Sequence, residues 1–440
     1  MPDTNKHLVA ESLPRMAASL VPRELLSWSL VAVAMGALEG GLLGVIVKNQ
    51  FSGVASQVLV NVAVAMVAGA ASFTNLLSFF FAARSMGRGK VQLLARLMLV
   101  IAACLLAMTT TRVSVPGLVT FTLLTVVGMA AWSGILTIRS VVWRANYPRR
   151  WRGHVTARIS QLAALLTAGF SALVGFAIQT DGAAWRILFP AAALCAVAGS
   201  LVYRRSRVRR HRHLMQAEQS RTQSQGGRIR FRSMGGILRS NRDFRNYMLG
   251  MMVFGSGNLM VVAMLIVLMH DQLGLDRLTQ VLITSSLPIL VLCLSVRSWA
   301  KVLDRRHIIS YRAVHSWTFV AANAFFAMAF IGSMPQLLWV GAVLLGLAWG
   351  GGHLGWNLGH NDFADDADSS LYMATHVWLT GLRGLVMPVF GVVFIHYLES
   401  RVPGHGAFAM LLPLSLTLAG WGWFIRLHRN LQKRLAQQAA

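Results

Sequence analysis

LLSWSLVAVAMGALEGGLLGVIV, residues Leu25–Val47, is an apolar run that holds a single ionisable group, Glu39. A helix needs about 20 apolar residues to cross the hydrocarbon core of a bilayer, so this run reads as a membrane span. Eleven more follow: Val58–Ala83, Val91–Thr110, Val115–Ile138, Ile159–Gln179, Ile187–Tyr203, Tyr247–Met269, Thr279–Val296, Ala313–Ile331, Leu337–Leu358, Leu371–Ile395 and Phe408–Ile425. Nearly every Lys and Arg falls on alternate connections between them. With the N-terminus in the cytoplasm, that side holds 35 of the 41 Lys and Arg. The other side holds Lys48, Arg112, Arg186, Arg277 and Arg401, and Arg383 lies inside a span. Cytoplasmic loops accumulate positive charge. The pattern therefore predicts an all-α polytopic membrane protein of twelve transmembrane helices, with both termini cytoplasmic.

Composition agrees: 55% of residues are apolar and 13% charged, against roughly 25% charged in soluble domains. The net charge of +26 sits on one face of a membrane domain, where it sets topology and meets an anionic inner leaflet. Nucleic acid is not an expected partner. Cys104, Cys195 and Cys293 fall inside spans and read as small buried hydrophobes, with no disulfide framework or metal-ligand spacing. Residues 1–24 carry Asp3, Glu11 and Glu24 and lack a short apolar core with a cleavage site. They read as a cytoplasmic tail, with the first span as its own insertion signal.

The chain divides near its middle. Residues 204–246 carry thirteen Arg against Glu218 and Asp243. The centre of this stretch, QAEQSRTQSQGG (Gln216–Gly227), reads as flexible linker. SMGGILRSNRDF (Ser233–Phe244) is either a surface segment dipping Ile237, Leu238 and Phe244 into the membrane or simply a solvated basic loop. Six spans on either side make two bundles, 25–203 and 247–425, with residues 426–440 as a cytoplasmic tail. The halves echo each other: WRANYP (Trp143–Pro148) follows the fourth span and WNLGHND (Trp356–Asp362) closes the tenth. Glycine-bearing runs then recur in LTAGFSALVG (Leu166–Gly175) and LTGLRGLVMPVFG (Leu379–Gly391). A six-helix unit used twice gives that register.

On these features the chain resembles the major facilitator superfamily over nearly its whole length. That family's signature between spans two and three, G-x-x-x-D-R-x-G-R-[KR], survives as RSMGRGK (Arg84–Lys90). Gly87 and Arg88 fit, and Arg84 stands where Asp is usual. In the second half AKVLDRR (Ala300–Arg306) keeps Asp304 and Arg305. Marks of the drug–proton antiporter branch are missing: no Arg stands early in the fourth span, and the fifth lacks a Gly-Pro pair. The resemblance implies two six-helix halves rocking about a central site, with spans one and ten on it.

An ionisable group inside a span costs about 2.5–3.5 kcal/mol on insertion scales, so it needs a partner, water or a function. Glu39 is the one acid well inside the apolar region. A carboxyl group in a low-dielectric cavity can take up a proton near neutral pH, which makes Glu39 the candidate for a coupling proton or a cationic substrate. The plainer reading is a helix-pairing acid. Arg383 is its complement, with Gly381 and Gly384 leaving room around it and Pro388 freeing a carbonyl. It either holds an anionic group, neutralises Glu39, or packs on Thr74, Asn75 and Ser78.

In the tenth span Trp349, His353, Trp356, Asn357 and His360 stand at i, i+4, i+7, i+8 and i+11, one helical face. Lipid does not select two imidazoles and an amide, so this face looks into protein or water; the resemblance places it on the cavity, where Trp132 and Ser133 of the fourth span and Asn258 of the seventh would add to the wall. Core or interfacial packing is the alternative for the tryptophans. His353 and His360 complete no zinc set. The loop HNDFADDADSS (His360–Ser370) holds Asp362, Asp365, Asp366 and Asp368 and no Lys or Arg. Its counterpart NYPRRWRGHVTAR (Asn146–Arg158) holds Arg149, Arg150, Arg152 and Arg158. Opposite charge on opposite halves suits a cytoplasmic gate, to which Arg84, Arg88 and Asp304 would contribute; alternatively the aspartates cap the eleventh helix.

No nucleotide-binding signature is present. The expectation is a secondary transporter of a small solute in a bacterial inner membrane, without cofactor or metal, coupled to protons and working as a monomer. A sensor or assembly module on the same frame is the competing class; a membrane enzyme lacks a catalytic cluster.

Overall fold

The computed structural model describes residues 15–225, 231–364 and 369–439. Twelve helical segments are long and apolar enough to cross a membrane, as expected for an integral membrane protein. The first six are Ala18–Phe51, Gln57–Ser85, Lys90–Thr109, Val115–Asn146, Trp151–Thr180 and Trp185–Arg204. The second six are Arg242–Asp271, Arg277–Leu303, Ile308–Ile331, Leu337–Leu358, Leu371–Arg401 and Gly406–Gln438. No strand occurs among the described residues, so the all-α, twelve-helix architecture stands.

Polar side chains at the starts of spans satisfy the orphan N–H groups of the first turn. Ser56 Oγ accepts from Leu59 N, Ser114 Oγ from Gly117 N and Asp276 Oδ1 from Thr279 N. Several helices run past the apolar stretches that announced them. The first starts at Arg15, the fourth continues to Asn146 and the ninth starts at Ile308. Glu24, Arg139 and Arg312, which hydropathy assigns to connections, therefore sit on helices. Away from water a backbone keeps its hydrogen bonds whatever side chain it carries, so a helix does not stop at the first charge.

Four spans are interrupted along their length, the ninth at Ser316, between helices Ile308–His315 and Trp317–Ile331. The first breaks at Glu39, between helices Arg15–Ala37 and Gly40–Phe51. The second tightens into a 3-10 turn at Thr74–Leu77. The eighth loosens into a π-helical turn at Leu282–Ser286; such turns are uncommon and gather at functional sites.

The two halves pack through glycine. A Cβ at Gly384 would lie 2.5 Å from Ser72 Cβ, and one at Gly69 would lie 2.9 Å from the Gly384 carbonyl, so the second and eleventh spans touch backbone to backbone. A Cβ at Gly381 would press on Leu76 at 2.6 Å. Gly381 and Gly384 thus admit the second span; they do not make the room for Arg383. A Cβ at Gly175 would lie 3.0 Å from Val281, joining the fifth and eighth spans.

Much of the central connection is helical, His211–Gln225 and Phe231–Ser240, including most of the segment expected to be flexible. Glu218 reaches the RSMGRGK loop, accepting from Gly87 N at 2.9 Å and from Lys90 Nζ at 2.7 Å. Gly87 has φ +65°, a conformation that favours glycine. Ile237 and Leu238 pack against the protein core, and buried Phe244 meets Phe363 and Tyr372. This segment seats on the second half, against the seventh and eleventh spans.

Candidate functional site: a cavity between the halves

A cavity of about 440 Å³ lies between the halves, within the size range of small-molecule sites. The fourth span lends it Trp132 and Ser133, the seventh Asn258, the tenth Trp349, His353 and Trp356, and the eleventh Arg383. All of these were readable in sequence. His353 is exposed in it. The predicted tenth-span stripe divides: Asn357 turns its amide to the His353 carbonyl at 2.8 Å, and His360 is buried, which pushes its imidazole pKa down. Neither is part of the cavity wall.

Arg383 is buried. Its guanidinium donates to the Met251 carbonyl and to Thr380 Oγ1, the latter at 2.9 Å. The notch it enters is made by Gly255, where a Cβ would lie 1.9 Å from Nη1. Thr380 Oγ1 also accepts from Trp356 Nε1 at 3.3 Å. No hydrogen bond joins Arg383 to Glu39 or to the polar groups of the second span among the described residues; Asn75 shares the cavity with it. Arg312, also buried, lines the same cavity from the ninth span.

Glu39 borders a contiguous chamber of about 360 Å³ that shares Trp132, Asn258 and Trp349 with the first. It caps the outer half of the first span, accepting from Leu42 N at 2.9 Å. Its carboxylate stands beside Thr284 and Ser285, in the π-helical turn of the opposite half. Ser285 Oγ in turn meets Ser171 Oγ of the fifth span at 2.8 Å.

A second buried acid went unseen in sequence. Glu24 accepts from Trp28 Nε1 and, at 3.0 Å, from Trp143 Nε1. Arg139 lies over the rings of Trp143, Trp28 and Trp132, at 4.2, 4.7 and 5.7 Å from their centroids.

The charged loops divide between described and undescribed parts. Asp362 Oδ2 accepts from Ile308 N at 2.6 Å, so it caps the ninth span; the eleventh was the expected one. Arg152 donates to the Arg144 and Tyr147 carbonyls. Arg84, Arg88, Arg158 and Asp304 are exposed. Asp365, Asp366 and Asp368, and the side chains of Arg149 and Arg150, lie outside the described residues.

At the far end of the bundle, opposite the arginine-rich connections, hydrogen bonds cross between the halves. Lys48 Nζ meets Asp271 Oδ2 at 2.7 Å and Asn61 Oδ1 at 2.6 Å. Gln57 donates to the same Asp271 oxygen, and Asn61 meets His396 Nε2 at 2.8 Å. Arg277 donates to the Ile178 carbonyl at 2.8 Å.

By sequence the chain matches no protein-family model and no curated protein. By structure it superposes on a D-xylose–proton symporter with TM-score 0.68 and 12% identity, over 93% of this chain and 98% of that one. A peptide transporter with bound sulfate gives TM-score 0.67 and 13% identity over 93% and 95%. The nucleoside transporter NupG gives 0.61 and 11% over 94% and 99%. The fold is that of the major facilitator transporters. Within a major facilitator fold, the broken first span, the tenth-span face and the arginines all converge on the space between the two repeats.

Proposed function

We propose that this protein is a secondary active transporter of a small solute, working by alternating access between its two halves and coupled to protons at Glu39. The observation that carries the reading is the position of that carboxylate. It caps a half-helix, where the positive end of the helix dipole favours negative charge, and it borders the cavity beside the π-helical turn of the other half. Any movement of one half against the other changes what surrounds Glu39. Its proton affinity then differs between the two conformations, which is the thermodynamic requirement for coupling. Transport, rather than catalysis, is the chemistry this arrangement suits.

The arginine-rich end is assigned to the cytoplasm of a bacterial inner membrane, facing anionic lipid, by the charge asymmetry of the loops. The same assignment puts both terminal tails on that side, and on this reading the far-end contacts correspond to an inward-facing conformation. One chain supplies both sides of the cavity, so a monomer suffices.

Flux in proteoliposomes, with and without an imposed pH gradient, tests the reading. Solute accumulation should follow the gradient in the unmodified protein. In Glu39→Gln accumulation should vanish while counterflow exchange persists. Gradient-driven accumulation by Glu39→Gln removes Glu39 from the mechanism, and no exchange of any solute class makes the frame a sensor or assembly module.

A further inference from the structure

Two guanidinium groups enter the larger cavity, from Arg312 and Arg383, and no Asp or Glu lines it among the described residues. Both arginines are at least 97% buried. Arg383 has only neutral acceptors, a carbonyl and a hydroxyl, and its Nε is unpaired. Arg312 has no side-chain hydrogen bond or ion pair among the described residues, and its Nε too is buried without a partner. The Asn258 Oδ1 atom in the same wall is also unsatisfied. A buried charge without a counter-ion is unfavourable, and arginine presents a planar fork of donors that fits a carboxylate or phosphate. No hydrogen bond or ion pair joins Glu39 to either arginine among the described residues; its carboxylate lies at the half-helix cap.

The rest of the wall is aromatic. Trp132, Trp349 and Trp356 share it with Phe254 and Phe319. These surfaces favour an apolar or planar body next to the charged head.

We propose that the cavity takes an organic anion, its carboxylate or phosphate head on Arg312 and Arg383 and its apolar body against the tryptophans. The proposal rests on the transporter reading only for its physiological meaning; binding at the arginines stands or falls by itself. Neutral solutes leave both guanidinium groups uncompensated, and cations add repulsion.

Purified full-length protein is titrated with benzoate, phenyl phosphate, benzyl alcohol and benzylammonium, followed by thermal unfolding and intrinsic tryptophan fluorescence. Benzoate or phenyl phosphate should raise the unfolding temperature and saturate a fluorescence change, and the tighter of the two identifies the head group. Benzyl alcohol and benzylammonium should bind at least tenfold more weakly. Arg312→Gln and Arg383→Gln should each weaken the anion by about ten- to a hundredfold, the worth of a charge-assisted hydrogen bond, with partial rescue in the Lys variants. Gly255→Ala keeps both charges but fills the notch that holds Arg383, so it should weaken the anion without making the alcohol bind better.

Equal binding of the alcohol or the ammonium overturns the proposal, as does no response to either anion at millimolar concentration. So does anion affinity unchanged in folded Arg variants. Proteoliposome counterflow separates the two readings. Anion binding without exchange of any solute sinks transport and leaves the site. Exchange of a neutral solute without anion binding does the reverse.

Discussion

At the residue scale, Glu24 shows what hydropathy hides. Its carboxylate accepts from two buried indole N–H groups. Glu24→Ala would leave both without an acceptor, at about 1–3 kcal/mol each, whereas Glu24→Gln keeps one oxygen in place. Thermal unfolding in detergent should show a large fall for the alanine variant and a clearly smaller one for glutamine. Equal losses would mean that the hydrogen bonds are not what Glu24 contributes. The same comparison explains which site residues were legible. Glu39, Arg383 and Asn258 stand out because each interrupts an apolar run. Glu24, Arg139 and Arg312 stand where apolar runs end, and there a helical charge looks like a loop charge. Only their continuation on helices, set by backbone hydrogen bonding, distinguishes them.

At the element scale, the tenth span carried a readable period of 3.6, and its face does turn to the cavity over Trp349, His353 and Trp356. The period continued to Asn357 and His360, but the wall did not. The helix ends at Leu358, and beyond it the chain turns His360 inward. Water-soluble thiol reagents should therefore label Trp349→Cys, His353→Cys and Trp356→Cys, and spare Leu345→Cys and His360→Cys. Protection at all five positions would make this face packed core. The breaks at Glu39 and Leu282–Ser286 had no such signal. Gly40 and Gly41 permit the first, since a Cβ on Gly41 would lie 2.9 Å from both Glu39 Oε2 and the Thr284 carbonyl. Glycine in an apolar run is, however, too common in membrane helices to announce a break.

At the scale of the whole molecule, the repeat, the two halves and the charge asymmetry were visible in the chain, whereas the partners across the halves were not. Lys48 and Asp271 lie at the ends of different spans, 223 residues apart. Neither position has a pattern that points to the other. Their ion pair is nevertheless the clearest polar tie between the halves at the far end, with Lys48 buried and Asp271 a quarter exposed. A hydrogen bond to a charged group contributes about 1.5–3 kcal/mol, and alternating-access states commonly differ by a few kcal/mol. Losing this pair should then move the population by tenfold or more toward the state open at the far end. Asp271→Asn alone leaves the Lys48 ammonium buried with neutral amide acceptors and no counter-charge, and removing one partner of a buried pair is the costlier change. The double variant Lys48→Met with Asp271→Asn should lie closer to the unmodified balance. Cross-linking of cysteines at Gln57 and His396, on opposite halves of the same network, reads that balance directly. Yield should fall in Asp271→Asn and recover in the double variant. Unchanged yield in both would show that the glycine contacts of the second and eleventh spans, rather than the charges, hold the far end shut.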